Sequence, residues 1–140
     1  MSKGVIAIPA VLRQAMIAHA SSQRPLESCG LVGGVGHEAR RFWPTRNAAA
    51  SPVRYEVEPR DLLTATVDIE DAGLQLWGIF HSHPATEAYP SQTDIRLAYY
   101  PEAYYLIASL AGLRADGSGA VLRAFRIVGT RVDEVEIAPA

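Results

Sequence analysis

The stretch Leu74-Gln-Leu-Trp-Gly-Ile-Phe-His-Ser-His-Pro84 decides the fold. It is short, apolar and aromatic, and it lies between Gly73 and Pro84, which predicts a central strand over Leu74 to Ser82. Side chains alternate between faces along a strand, so His81 and His83 project together while Ser82 points away. Pro84 and Pro90 then bracket a loop. Ser91-Gln-Thr-Asp94 opens a helix, predicted to reach Tyr99, with Ser91 as N-cap and Asp94 at the third helical position. A strand end and a helix start therefore offer two imidazoles and a carboxylate. That is the ligand set of a catalytic zinc site with one position left for water.

Working outward, Pro59 marks the start of a helix that runs to Asp71 and stops at Gly73. Its apolar periodicity places Leu62, Leu63, Thr66, Val67 and Ile69 inward. Val53 to Val57 reads as extended, and Asn47 to Pro52 as a loop of small residues. Further upstream, Leu26 to Gly36 reads as a buried strand whose Gly30, Gly33 and Gly34 admit close approach of a neighbouring backbone. Glu38 to Arg46 is its partner. At the N-terminus a strand over Val5 to Ile8 precedes a helix over Ala10 to Ser22, with Leu12, Ala15, Met16 and His19 on one face.

Downstream, Ala103 to Leu110 is almost continuously apolar, as expected of a strand covered on both faces. Gly112 to Gly119 is a turn-rich connection. Ala120 to Val128 and Arg131 to Ile137 then form a hairpin about Gly129-Thr130. With no repeat and no linker, residues 1–140 read as one α/β domain with a mixed sheet and about three helices.

Composition narrows the function. Of the 140 residues 49% are hydrophobic and 20% charged, ordinary for a globular domain with a substantial core. A net charge of −2 gives no electrostatic reason to expect nucleic acid or an anionic membrane as partner. The arginine and alanine bias suits a GC-rich bacterial coding sequence. The single Cys29 excludes an internal disulfide framework and suits a reducing interior. No apolar run approaches the roughly 18 residues of a membrane helix, and Met1 to Ala10 lacks a signal-peptide pattern. The expected location is the cytoplasm.

Each candidate residue has a plain structural alternative. Paired strand histidines are more often surface or core than metal ligands, and Ser91 with Asp94 form a capping box that alone would justify both. Glu27, in a small and apolar run, is either a strand-end charge, a partner of Arg24, or a buried general base and acid whose pKa burial would raise. Cys29 could be a fourth ligand but is more simply a small apolar group. His19 and His37 read as structural or solvated, and Glu87 and Glu102 as surface charges. The zinc-deaminase and His-Glu-x-x-His signatures are absent.

Taken together, these positions resemble the JAMM, or MPN+, metallopeptidases, whose pattern is an upstream glutamate followed by His-x-His-Pro-x6-Ser-x2-Asp. Here Glu27 is followed by His81-Ser-His83-Pro84, six residues, Ser91, two residues and Asp94. Pro25-Leu-Glu-Ser-Cys-Gly30 and Gly78-Ile-Phe-His-Ser-His-Pro84 are similar to the short prokaryotic members. The resemblance implies a cytidine-deaminase-like α/β/α sandwich with a curved mixed sheet. It implies one zinc on His81, His83 and Asp94, Glu27 as base and acid toward the attacking water, and Ser91 as oxyanion donor. The implied substrate is the C-terminal Gly-Gly of a ubiquitin-like or sulfur-carrier protein. The alternatives are a non-catalytic scaffold of the same fold or a zinc-binding interaction module, and, as a third reading, a purely structural zinc site.

Overall fold

The computed structural model describes residues 4–139. In chain order the elements are β1 (Val5–Ile6), α1 (Ala10–Gln23), β2 (Cys29–Val35), β3 (Glu38–Thr45), α2 (Pro59–Asp71), β4 (Gln75–His83), α3 (Gln92–Arg96), β5 (Tyr104–Ser109), β6 (Val121–Val128) and β7 (Arg131–Ile137). The strands form one sheet in the order β1-β7-β6-β5-β4-β2-β3. β4 pairs with β5 in parallel, as β1 does with β7, and the other pairs are antiparallel. The sheet is therefore mixed, and β4 lies in its interior, between β5 and β2.

The sheet curls until its rims meet. The Ile6 carbonyl accepts from the Ala138 N–H at 2.8 Å beside β7, while the Ala7 N–H donates to the His37 carbonyl at 2.8 Å and its carbonyl accepts from Ala39 at 3.0 Å beside β3. Helices cover both faces. Met16 and Ala20 of α1 pack on Val32, Phe80, Leu106 and Ala124. Ala65 and Ile69 of α2 pack on Leu31, Ile79, Ile107 and Phe125. This is the expected α/β/α sandwich with a curved mixed sheet. Each large buried side chain among these contributes roughly 1.5–3 kcal/mol of transfer free energy. Close approach of a backbone is found at Gly30, where a Cβ would lie 2.7 Å from the Trp43 carbonyl oxygen, and at Gly34 beside the Glu38 carbonyl, whereas a Cβ at Gly33 would meet the side chains of Trp43 and Leu74.

Several boundaries differ from the sequence expectation. β1 ends at Ile6, because Ala7 turns to the opposite rim. β2 begins at Cys29 rather than Leu26, because the Leu26 N–H turns to the Gln23 carbonyl and the Glu27 N–H to the Ser51 carbonyl, outside the ladder. Residues 53–57 are irregular apart from a bridge between Asn47 and Val57. α3 ends at Arg96, leaving Tyr99 and Tyr100 outside it; the residue before Pro101 is disfavoured in helical conformation. On α1, Ala15 is exposed and Ala20 takes the inner position. On α2, Leu63 and Val67 are 66% and 44% exposed, whereas Ala65 is buried. No helix among the described residues is long and apolar enough to cross a membrane.

Candidate active site

His81 and His83 end β4 on the face covered by α2, and both are buried. Their Nε2 atoms are 3.2 Å apart, and each lies close to Asp94 Oδ2, at 3.1 and 3.0 Å. The three ligand atoms lie within 4.8 Å of one another, the one group among the described residues able to hold a metal ion in this way. Tetrahedral ligands at zinc bond lengths stand roughly 3.3 Å apart, so the spacing fits the ion. The tautomers fit as well. His83 Nδ1 lies 2.7 Å from the Glu87 carbonyl, an acceptor only, so in the neutral ring Nδ1 carries the proton and the Nε2 lone pair faces the site, where a cation can replace the proton it shares with Asp94 when the ring is charged.

Asp94 reaches this point from the first turn of α3. Ser91 Oγ accepts from the Asp94 N–H at 3.0 Å, and Asp94 Oδ2 accepts from the Ser91 N–H at 2.9 Å. The capping box and the convergence with the histidines are thus both present, and the same carboxylate oxygen takes part in each. Ser91 Oγ uses a lone pair for the cap, which leaves its hydroxyl proton free to donate elsewhere.

The electrostatics follow from burial opposed by hydrogen bonding. Burial alone would raise the Asp94 pKa, but bonds from His81, His83 and the Ser91 N–H hold it far below the usual carboxylate range. Burial lowers the His81 pKa. At His83 burial acts the same way, but the bonds to Asp94 and to the Glu87 carbonyl outweigh it and the net shift is upward.

Glu27 joins the group from the segment before β2. Cys29 pairs with His81, and the Ser82 N–H donates to the Ser28 carbonyl at 3.0 Å, so the same register sets Glu27 opposite His83. Its backbone is held by the loop after β3: its N–H donates to the Ser51 carbonyl at 2.9 Å, and Asn47 Nδ2 donates to its carbonyl at 3.0 Å. The side chain is buried and Oε1 has no hydrogen-bond partner. Desolvation raises its pKa to about 8, with His83 lowering it and Asp94 raising it. Neither a solvent-facing charge nor an Arg24 pair describes this carboxyl.

The other candidates fall outside the group. Cys29 stands directly across from His81 but turns its sulfur to Thr45 Oγ1 at 3.3 Å and the Arg46 carbonyl at 3.4 Å. His19 Nε2 donates to the Cys29 carbonyl at 3.0 Å, a structural role as expected. Glu87 has an exposed side chain, yet its carbonyl orients His83, a contact with no trace in side-chain identity. Tyr55 was also not anticipated. Its ring stacks on His81 with centroids 4.4 Å apart, and it lines an apolar cavity of about 670 Å³ with Leu31, Leu62, Leu63, Tyr99 and Tyr100.

Comparison with known proteins identifies the family of the chain. A family profile described as prokaryotic homologs of the JAB domain matches residues 9–128. The chain is 40% identical over 132 residues to a CysO-cysteine peptidase of Mycobacterium tuberculosis, covering 93% of this chain and 88% of that one. It is 34% identical over 120 residues to a desampylase of Haloferax volcanii, covering 80% and 86%. The solution structure of DSY2949 from Desulfitobacterium hafniense superimposes with a TM-score of 0.84 at 40% identity, over 96% of this chain and 92% of that one. A structure described as a JAMM metalloprotease-like zinc site in the proteasome and signalosome shares the fold at a TM-score of 0.58 and 17% identity, over 97% and 100%. The chain belongs to the prokaryotic JAB-domain family, the short JAMM/MPN proteins.

Proposed function

We propose that this protein is a zinc-dependent peptidase or isopeptidase that hydrolyses the amide bond after the C-terminal Gly-Gly of a ubiquitin-like or sulfur-carrier protein. The observation that carries the reading is the convergence of His81, His83 and Asp94 beside the buried carboxyl of Glu27. The names of the CysO-cysteine peptidase and the desampylases support the substrate class. Zinc held by His81, His83 and Asp94 would supply Lewis-acid polarisation of the scissile carbonyl and acidify the attacking water.

The chain's own residues do the remainder. Glu27 accepts a proton from the water as its oxygen attacks the carbonyl carbon, then delivers that proton to the departing amine nitrogen as the C–N bond breaks. Burial, which in the metal-free fold pushes this carboxyl up to about 8, makes its carboxylate a stronger proton acceptor than a solvated one. Ser91 donates its hydroxyl proton to the developing oxyanion, a contact worth roughly 3 kcal/mol in the transition state. The apolar cavity between α2, residues 54–57 and the Tyr99–Tyr100 segment receives the folded body of the carrier. Its extended tail then crosses Tyr55 to reach His81.

Mass spectrometry of carrier proteins carrying a Gly-Gly-linked cysteine or lysine tests the proposal. Zinc-loaded protein should remove the mass of the leaving group, and a chelator should abolish the loss. Zinc uptake without cleavage of any conjugate in such a panel would overturn the catalytic reading.

A further inference from the structure

The two histidines are steadied by different means. A metal-ligating histidine nearly always donates its second ring N–H to a carbonyl, carboxylate or water, which fixes the plane of the ring. His83 does so, with Nδ1 2.7 Å from the Glu87 carbonyl. His81 does not. Its Nδ1 is buried, and no group among the described residues accepts from it.

The face of His81 is covered instead. The Tyr55 ring lies 4.4 Å away, centroid to centroid, with the planes only 20° apart. Tyr55 is held firmly for a residue in an irregular segment, because one side chain pins both its neighbours. Asn47 Nδ2 donates to the Arg54 carbonyl and Asn47 Oδ1 accepts from the Glu56 N–H, each at 3.0 Å. The Ala48 N–H adds a bond to the Glu56 carbonyl at 2.7 Å. The same Asn47 donates to the Glu27 carbonyl, so the stacking ring and the buried carboxyl share one anchor.

We infer that Tyr55 is the positioning residue of His81: the face of the phenol ring does for this imidazole what the Glu87 carbonyl does for His83. The inference rests on the reading of His81, His83 and Asp94 as a zinc site. It assigns the work to the ring and none to the hydroxyl, because stacking needs only the aromatic face.

Competition for zinc with a chromophoric chelator, on wild type and the variants Tyr55→Phe and Tyr55→Leu, tests it. Loss of a group that orients a metal ligand typically costs about 10-fold or more in affinity, which is the loss expected for Tyr55→Leu. Tyr55→Phe should stay within about twofold of wild type. Zinc binding by Tyr55→Leu at wild-type strength would overturn the inference and leave the metal site standing. A wild type that takes up no zinc would overturn both. A large loss in Tyr55→Phe would also overturn it, by moving the effect to the hydroxyl. Should Tyr55→Leu fail to fold, proton NMR of the wild type decides the matter. Upfield-shifted His81 ring protons with cross-relaxation to Tyr55 are expected, and their absence overturns the stack.

Discussion

Ser28 and Ser82 face one another hydroxyl to hydroxyl at 2.9 Å, on the face of the sheet turned away from the histidines. The Ser28 N–H also donates to Ser82 Oγ at 2.9 Å. This buried pair extends the β2–β4 register past the last ladder pair and holds Glu27 opposite His83. Removing Ser82 Oγ as Ser82→Ala strands two buried donors, a cost of roughly 1–3 kcal/mol in stability. Turnover should fall while zinc affinity stays near wild type, because the lost contact fixes Glu27 and touches no proposed ligand. Parallel zinc titration and initial-rate measurements would check this.

Glu27→Gln should separate metal binding from chemistry. The amide keeps the side-chain volume and replaces none of His81, His83 and Asp94, but cannot carry the proton from water to amine. Zinc content near one per chain with turnover reduced at least about 100-fold is the expected result. Cleavage at the wild-type rate would sink the assigned role.

The same substitution predicts a pH-dependent stability difference in metal-free protein. The pKa of Glu27 is raised in the fold from its ordinary 4.5 to about 8. The folded carboxyl therefore binds a proton that the unfolded one releases, and wild-type stability falls as pH rises from about 4.5 to 8. The amide of the variant has no such titration. Metal-free Glu27→Gln should gain on wild type by on the order of 2–4 kcal/mol near pH 7.5, and the gain should vanish near pH 4. Urea melts at the two pH values would read it.

Ser91 has two assignments that different substitutions pull apart. Ser91→Ala loses the cap on the Asp94 N–H, worth about 1 kcal/mol, together with the oxyanion donor. Ser91→Asn restores an N-cap acceptor without the hydroxyl. Stability should therefore recover in Ser91→Asn while kcat remains about 100-fold down in both. Full activity in Ser91→Asn would remove the oxyanion role.

Leu63, exposed on α2 at the cavity wall, tests where the carrier docks. Leu63→Arg introduces charge into an apolar surface without touching the core, so stability should change by less than about 0.5 kcal/mol. KM for a folded conjugate should rise several-fold with kcat unchanged, and cleavage of a short Gly-Gly peptide should be unaffected. An equal effect on both substrates would place the docking surface elsewhere.

Much of the site was legible because its determinants are local. Strand alternation put His81 and His83 on one face, and the Ser91-x-x-Asp94 spacing gave the capping box. Glu27 was legible as an acidic residue in an apolar run. What brings it to His83 was not, because the Ser28–Ser82 pair is a tertiary contact between residues of no distinctive pattern. Tyr55 lay hidden for a related reason: an aromatic residue in an irregular segment has no periodicity to betray its partner. At Glu87 the sequence shows a charged side chain, but the backbone carbonyl makes the contact. Apolar spacing points Leu63 inward because it cannot distinguish a core from an open cavity, and the same periodicity points Val67 inward although it is exposed.

The rim closure at Val5 to Ala7 bears on how the protein avoids its own kind. Neighbouring residues there belong to opposite rims, Ile6 to β7 and Ala7 to β3. Three residues thereby occupy backbone groups on both edges of the six strands β2 to β7, which would otherwise be templates for strand pairing between molecules. A chain shortened past Ala7 keeps every proposed catalytic residue yet bares two edges at once. Its first symptom would be self-association at high concentration, while the soluble fraction still turned over substrate.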